Sequence, residues 1–174
     1  LLDQGIHMLE LLRLFGGKFL SFKSLVSNNF WKFDVEDNVY SIMKSEKGVI
    51  ATINSSATQW PHKFSLEINL EHGSIILTGI LSNSKSYGSE NLEIIIKKDS
   101  DFKRIKKQYK KDLSWDKELD YFTNSILKNK RILKSNINDA FETMVMVFSI
   151  YYSDIEWRKK YKIHNPKYYK LNGN

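Results

Sequence analysis

Phe64-Ser65-Leu66-Glu67-Ile68-Asn69-Leu70 places an apolar side chain at every second position. Successive side chains of a strand point to opposite faces, so this period of two predicts a strand with one apolar and one polar face. Downstream, His72-Gly73 turns into a second strand at residues 74–78, and residues 92–98 form another candidate. Upstream, strands at residues 38–45 and 49–57 flank Glu46-Lys47-Gly48, a short turn with glycine where a positive φ is expected. Residues 18–27, with mixed alternation, precede them. Short strands joined by tight turns indicate antiparallel pairing.

Helical spacing frames this run of strands. Residues 3–15 carry a wide apolar face that includes Leu9 and Leu12, with Glu10 and Arg13 on the other side, and Gly16-Gly17 ends the pattern. Ser114 is read as an N-cap, with Asp116 and Glu118 in the following turn. Trp115, Leu119, Phe122 and Ile126 make one stripe. A last helix is expected from near Asp139, with Glu142 as a variant capping box. It runs through Phe141, Met144, Val145, Phe148 and Tyr152 to about Trp157. Residues 161–174 are polar, tyrosine-rich and contain Pro166, so little regular structure is expected there. Helix, strands, then helices predicts an α+β domain over residues 1–160: an open, mostly antiparallel sheet with helices on one face, followed by a tail over 161–174. The sheet's other face is then either wet or packed against another subunit.

Composition narrows the functions. The 174 residues, 41% hydrophobic and 13% aromatic, suit one ordered domain. No apolar run approaches the ~20 residues that span a bilayer, and no signal peptide is visible. With no cysteine, thiol catalysis and zinc–thiolate sites are excluded, and a cytoplasmic location is the default expectation. The chain opens on Leu1 inside an apolar run, which reads as a processed, truncated or engineered fragment. Of the net charge of +7, +6 sits in residues 97–111, where eight basic residues outnumber Asp99 and Asp101. That stretch is read as a solvated, lysine-rich connection, with phosphate or nucleic-acid binding as its rival; no nucleic-acid-binding motif accompanies it.

Three clusters could carry chemistry. Asp3 and His7, four apart on a helix, share a face, and a carboxylate beside an imidazole suits proton removal from an alcohol. The alternative is that Asp3 caps the helix and His7 is an ordinary histidine. Ser55-Ser56-Ala57-Thr58-Gln59-Trp60-Pro61-His62 lies between two strands and offers hydroxyls, an amide, an aromatic face and an imidazole, a set that suits a sugar or simply packs a loop. Ser86-Tyr87-Gly88 with Glu90 is either a turn or a source of a hydrogen bond to substrate from Tyr87. Glu36-Asp37, adjacent in extended chain, point apart and make a poor acid–base couple. The histidines at 7, 62, 72 and 164 lack metal-ligand spacing, so no metal is expected. No G-x-G-x-x-G is present, so no dinucleotide fingerprint is visible.

Taken together and in order, these segments resemble the C-terminal domain of Gfo/Idh/MocA-type NAD(P)-dependent oxidoreductases. Asp3-Gln4-Gly5-Ile6-His7 resembles D-x-G-x-H before an apolar helix. Val35-Glu36-Asp37-Asn38 is similar to a V-E-D-N/D strand opening, and residues 48–56 to G-x-x-A-x-x-x-S-S. Thr58-Gln59-Trp60 with residues 64–68, the pair Gly73 and Gly79, Ser86-Tyr87-Gly88, and Trp115, Glu118, Leu119 and Phe122 also fit. The resemblance covers roughly residues 1–157. It implies a fold like the C-terminal domain of glyceraldehyde-3-phosphate dehydrogenase, with no Rossmann domain in this chain. It further implies hydride transfer between nicotinamide and a sugar or nucleotide-sugar carbon. NAD or NADP would be bound mainly by an N-terminal Rossmann domain, whose E-K-P lysine assists. His7 would transfer the proton, Asp3 would bind substrate or orient the site, and Gln59, Trp60 and Tyr87 would contact substrate. A homo-oligomer through the open sheet face is expected, with no nucleic-acid or membrane partner. On this reading the isolated chain is inactive. The rival is a non-catalytic sugar-binding or dimerisation domain of the same fold.

Overall fold

The computed structural model describes residues 1–82, 86–99, 101–133 and 135–169. The chain forms two compact units, residues 1–58 with the chain from Ile132 onward, and residues 59–131.

In the first unit, α1 (Gly5–Gly16) leads into β1 (Phe19–Ser27), β2 (Asn38–Ser45) and β3 (Ile50–Ser56), an antiparallel sheet of order β1-β2-β3. α1 starts two residues later than the apolar pattern implies, with Gln4 as its N-cap, and it ends where Gly17 takes φ 77° and donates to Arg13 O at 2.9 Å. β2 alternates cleanly: Val39, Ser41, Met43 and Ser45 are buried, while Tyr40, Ile42 and Lys44 are exposed. The mixed pattern of β1 has a structural cause, a register shift between Phe19 and Ser21. Gly48 takes φ 83° in the β2–β3 turn, as its sequence context predicts.

The later helices of this unit are α3 (Ile137–Ser153) and α4 (Ile155–Lys160). α3 packs on β1 and α1, so the helices cover one face of the sheet. Leu9, Val39, Met43, Val147 and Ile150 are essentially solvent-free, and form the core with Met146, Tyr151 and Trp157.

Two boundaries differ from expectation. The capping box of α3 is Asn136 with Asp139, not Asp139 with Glu142: Asn136 accepts from the Asn138 and Asp139 nitrogens, and Asp139 accepts from the Asn136 nitrogen. The helix does not run through to Trp157. It breaks at Asp154, whose carboxylate accepts from Val26 N at 2.8 Å and Trp157 N at 2.9 Å, tying β1 to a fresh helix start. In the tail, Pro166–Tyr168 forms one 3-10 turn, and Tyr161 and Ile163 pack on the core.

The second unit is a meander of β4 (Ser65–Leu70), β5 (Gly73–Thr78), β6 (Glu90–Lys98) and β7 (Asp101–Tyr109), all antiparallel, with α2 (Ser114–Leu127). Among the described residues, the seven strands thus form two sheets rather than one. Register lines up Leu66, Leu77 and Leu92 in one cross-strand row and Ile68, Ile75, Ile94 and Ile105 in the next, on the same face. β7 corrects the reading of residues 97–111 as a connection: the basic run is an edge strand paired to β6. Its lysines hid the pattern, because edge strands carry lysine where central strands carry apolar residues. Arg104 and Lys106 both reach Glu93 across the ladder. Ser114 is not the N-cap of α2; that position is Leu113, and Asp112 accepts from Ser114 N at 2.9 Å. The stripe of Trp115, Leu119, Phe122 and Ile126 forms as expected, each residue more than half exposed.

Candidate functional site

The segment Leu1–His7 approaches the sheet where β1 and β3 end and β2 begins. Gly5 is required by space: a Cβ there would stand 2.7 Å from Ser55 Oγ and 2.9 Å from Leu1 Cδ1. The glycine of D-x-G-x-H is therefore what lets α1 start directly against the Ser55-Ser56 end of β3.

Glu36, Asp37 and Asn38, at the start of β2, each hold a different neighbour. Glu36 Oε1 accepts from the chain-terminal ammonium of Leu1 (2.5 Å), from the Leu2 backbone nitrogen (3.3 Å) and from the Tyr151 hydroxyl (2.8 Å). Burial acts to raise the Glu36 carboxyl, but the terminal ammonium of Leu1, by its hydrogen bond and its charge, and the Tyr151 hydroxyl outweigh it and hold its pKa below the ordinary carboxylate value. Asp37 is buried and accepts from the backbone nitrogens of Phe30 (2.8 Å) and Trp31 (3.1 Å) and from Asn38 Nδ2 (3.0 Å). Burial opposes its ionisation too, and these N–H donors again prevail, so its pKa is lowered. Asn38 Oδ1 accepts from Ser56 Oγ at 2.6 Å and Thr58 Oγ1 at 3.2 Å. Sequence reasoning missed this hub. Its signal was three hydrogen-bonding side chains in a row where a strand begins, which an acid–base reading alone could not interpret.

Asp37 also pins the β1–β2 loop, in which Phe30, Trp31, Phe33 and Val35 are each more than half exposed. Trp31, Phe33 and Val35 with Glu36, Asp37 and Ala57 line an open hollow of about 330 Å³.

The predicted pair stands differently from expectation. Asp3 lies in the turn before α1, not on the helix, so it does not share a helical face with His7 and is not the N-cap. Its carboxylate accepts from Gln4 Nε2 at 3.2 Å. His7 sits in the first turn of α1, and both residues are exposed.

The other predicted contacts belong to the second unit. Gln59 is exposed, and Trp60, which precedes a cis peptide bond to Pro61, is 83% exposed. His62 lies between Trp60 (ring centroids 5.7 Å apart, 77° between planes) and Tyr87 (5.3 Å, 34°). The structure thus joins Trp60 and Tyr87, distant in sequence, through an imidazole. Exposed aromatic faces beside an imidazole and an amide can stack on the apolar side of a sugar ring and bond its hydroxyls.

Gly16-Gly17 ends a helix, whereas a phosphate cradle needs a glycine-rich loop that opens one. Among the described residues, no three His, Cys, Asp or Glu side chains are grouped to hold a metal ion, and no helix is long and apolar enough to cross a membrane.

Residues 1–76 match the family model described as GFO/IDH/MocA C-terminal domain. No curated protein matches the chain. Among solved structures, a levoglucosan dehydrogenase in complex with NADH and levoglucosan superposes with TM-score 0.70 at 13% identity, over 88% of this chain and 47% of its own. A UDP-N-acetylglucosamine 3-dehydrogenase from Acidithiobacillus ferrooxidans gives 0.69 at 14% identity, over 89% and 47%. The WlbA dehydrogenase from Bordetella pertussis, in complex with NADH and UDP-GlcNAcA, gives 0.62 at 15% identity, over 88% and 42%. The chain spans less than half the length of each. Residues 1–76 thus carry the match to the GFO/IDH/MocA C-terminal domain, and nearly nine-tenths of the chain shares the fold of these dehydrogenases.

Proposed function

We propose that this chain is the substrate-binding part of a cytoplasmic oxidoreductase that moves a hydride between NAD or NADP and a sugar or nucleotide-sugar carbon. The cofactor belongs mainly to a Rossmann domain outside these 174 residues. His7 takes the proton from the substrate hydroxyl as the alcohol is oxidised, and returns it in the reverse direction. Asp3 binds the substrate or orients the imidazole. Gln59, Trp60 and Tyr87 contact the sugar. The observation that carries the reading is the pair of contacts at Glu36 and Gly5, which hold the chain on either side of Asp3 at the strand ends. The related dehydrogenases named above are complexes with sugars or act on them by name, which supports the substrate class.

The test is His7→Ala in the full-length enzyme. Turnover should fall about 10²-fold or more while KM changes little, the mark of a lost proton-transfer group. Near-normal turnover overturns the assignment. The 174-residue chain alone should be inactive and bind neither cofactor tightly; stoichiometric, tight NADH binding by it contradicts the division of labour.

A second reading, a non-catalytic sugar-binding or dimerisation domain, is favoured by the apolar rows of β4–β7, none of whose residues is fully buried. In either case the fitting occupant of that face is a second copy. Four strands of this length cover roughly 500 Å² in plan, and side-chain relief brings that towards the ~800 Å² per partner of a stable dimer. Ile75→Lys with Ile94→Lys should convert a dimer to a monomer in light scattering. A wild-type monomer rejects the dimer.

A further inference from the structure

We propose that Glu36 and Tyr151 are positioning residues for the Asp3–His7 segment, acting through the backbone that precedes Asp3. The inference rests on the reading of that segment as the proton-transfer site.

Asp3 is held at its carboxylate by Gln4, a member of its own turn, so its place is set by where the backbone runs. Two contacts fix that backbone. Behind Asp3, Gly5 is wedged against Ser55. Ahead of it, the Leu2 backbone nitrogen donates to Glu36 Oε1 at 3.3 Å, and the same oxygen accepts the Tyr151 hydroxyl at 2.8 Å. Tyr151 lies on α3, is 6% exposed, and has its ring against Phe148 (6.1 Å) and Trp157 (6.3 Å). A continuous line of contacts therefore runs from the core through Tyr151 and Glu36 to the residue next to Asp3. Glu36 lies just before β2 and Tyr151 in the last turn of α3, so these two elements meet at this one oxygen.

Two donors on one oxygen suit a carboxylate. A glutamine presents one carbonyl oxygen and an amide that cannot accept, so it should restore part of the contact. Tyr151→Phe is the cleaner cut, because it keeps the ring packing and removes only the O–H.

The experiment pairs kinetics on the full-length enzyme with hydrogen exchange of the backbone amides of residues 3–7. In Tyr151→Phe, kcat should fall about tenfold with KM within about threefold, and those amides should exchange faster while α3 keeps its protection. Glu36→Gln should lie between wild type and Glu36→Ala. A Glu36→Ala variant that loses protection throughout α3 has unfolded, and Tyr151→Phe then decides. Unchanged exchange and unchanged kcat in Tyr151→Phe overturn the proposal. So does faster exchange with unchanged kcat, provided His7→Ala is slow in the same assay. If His7→Ala turns over normally, the proton-transfer reading fails, and faster exchange at residues 3–7 still supports the tie itself.

Discussion

Gly79 lies against the backbone of Ser89: a Cβ at Gly79 would stand 2.1 Å from Ser89 O, and the residue holds φ 71°. Both the space and the dihedral therefore demand glycine. Gly79→Ala should destabilise the protein by about 3 kcal/mol or more, the sum of a left-handed backbone and a clash with an atom that cannot rotate away. Gly48→Ala is the control. It has a similar φ of 83° but meets no atom within 4 Å, so it should cost only about 1 kcal/mol. Urea unfolding of the two variants separates the terms, and equal losses would show that the Ser89 contact does not matter.

The same distinction explains how much of the fold was legible. A period of two was readable wherever one face met the core, as at Val39, Ser41, Met43 and Ser45, because burial imposes the pattern. It failed at β7, where Lys103 and Lys107 occupy the face that Ile105 shares with Ile94. Solvent at a sheet edge imposes no such pattern. The break at Asp154 was hidden because Trp157 continues the helical spacing on the far side of it. Asp3, His7, Trp60 and Tyr87 could be named as candidates, but not the tie between Glu36 and Tyr151, because it joins positions 115 apart in sequence. His62 stood in the sequence cluster, yet only the fold shows that it links Trp60 to Tyr87.

Asp37 should set an acid limb on stability. Its folded pKa is lowered by donors that the unfolded chain lacks. Its contribution is thus fully present above the unfolded value of about 4 and is lost as pH falls through the lower folded value. Asp37→Ala, which strands the Phe30 and Trp31 nitrogens, should cost about 2 kcal/mol at neutral pH and flatten the dependence below about pH 4. Denaturant midpoints from about pH 2 to 7 measure it; parallel curves for wild type and variant would dismiss the role.

The lysines of β7 should guard an exposed edge. Among the described residues the strand pairs with β6 alone, so its outer N–H and C=O groups form a template for a further strand. Lys103→Val with Lys107→Val extends the apolar rows to that edge. The variant should self-associate at concentrations where wild type does not, with little change in secondary structure. Light scattering and circular dichroism report both quantities, and wild-type behaviour would mean that the charge on this strand serves another purpose.

Trp60 and His7 should divide binding from chemistry. An indole 83% exposed adds little to folding, so Trp60→Ala should leave the unfolding midpoint almost unchanged. If its face stacks on the sugar, the loss of about 1 kcal/mol or somewhat more raises KM roughly tenfold in the full-length enzyme, with a smaller effect on kcat. His7→Ala should do the reverse. His62→Ala removes the ring between Trp60 and Tyr87 and should approach the Trp60→Ala phenotype, because an unsupported indole pays more entropy to meet the substrate. A Trp60→Ala enzyme with wild-type KM for its sugar would take this platform out of the substrate site and leave it a role in the loop alone.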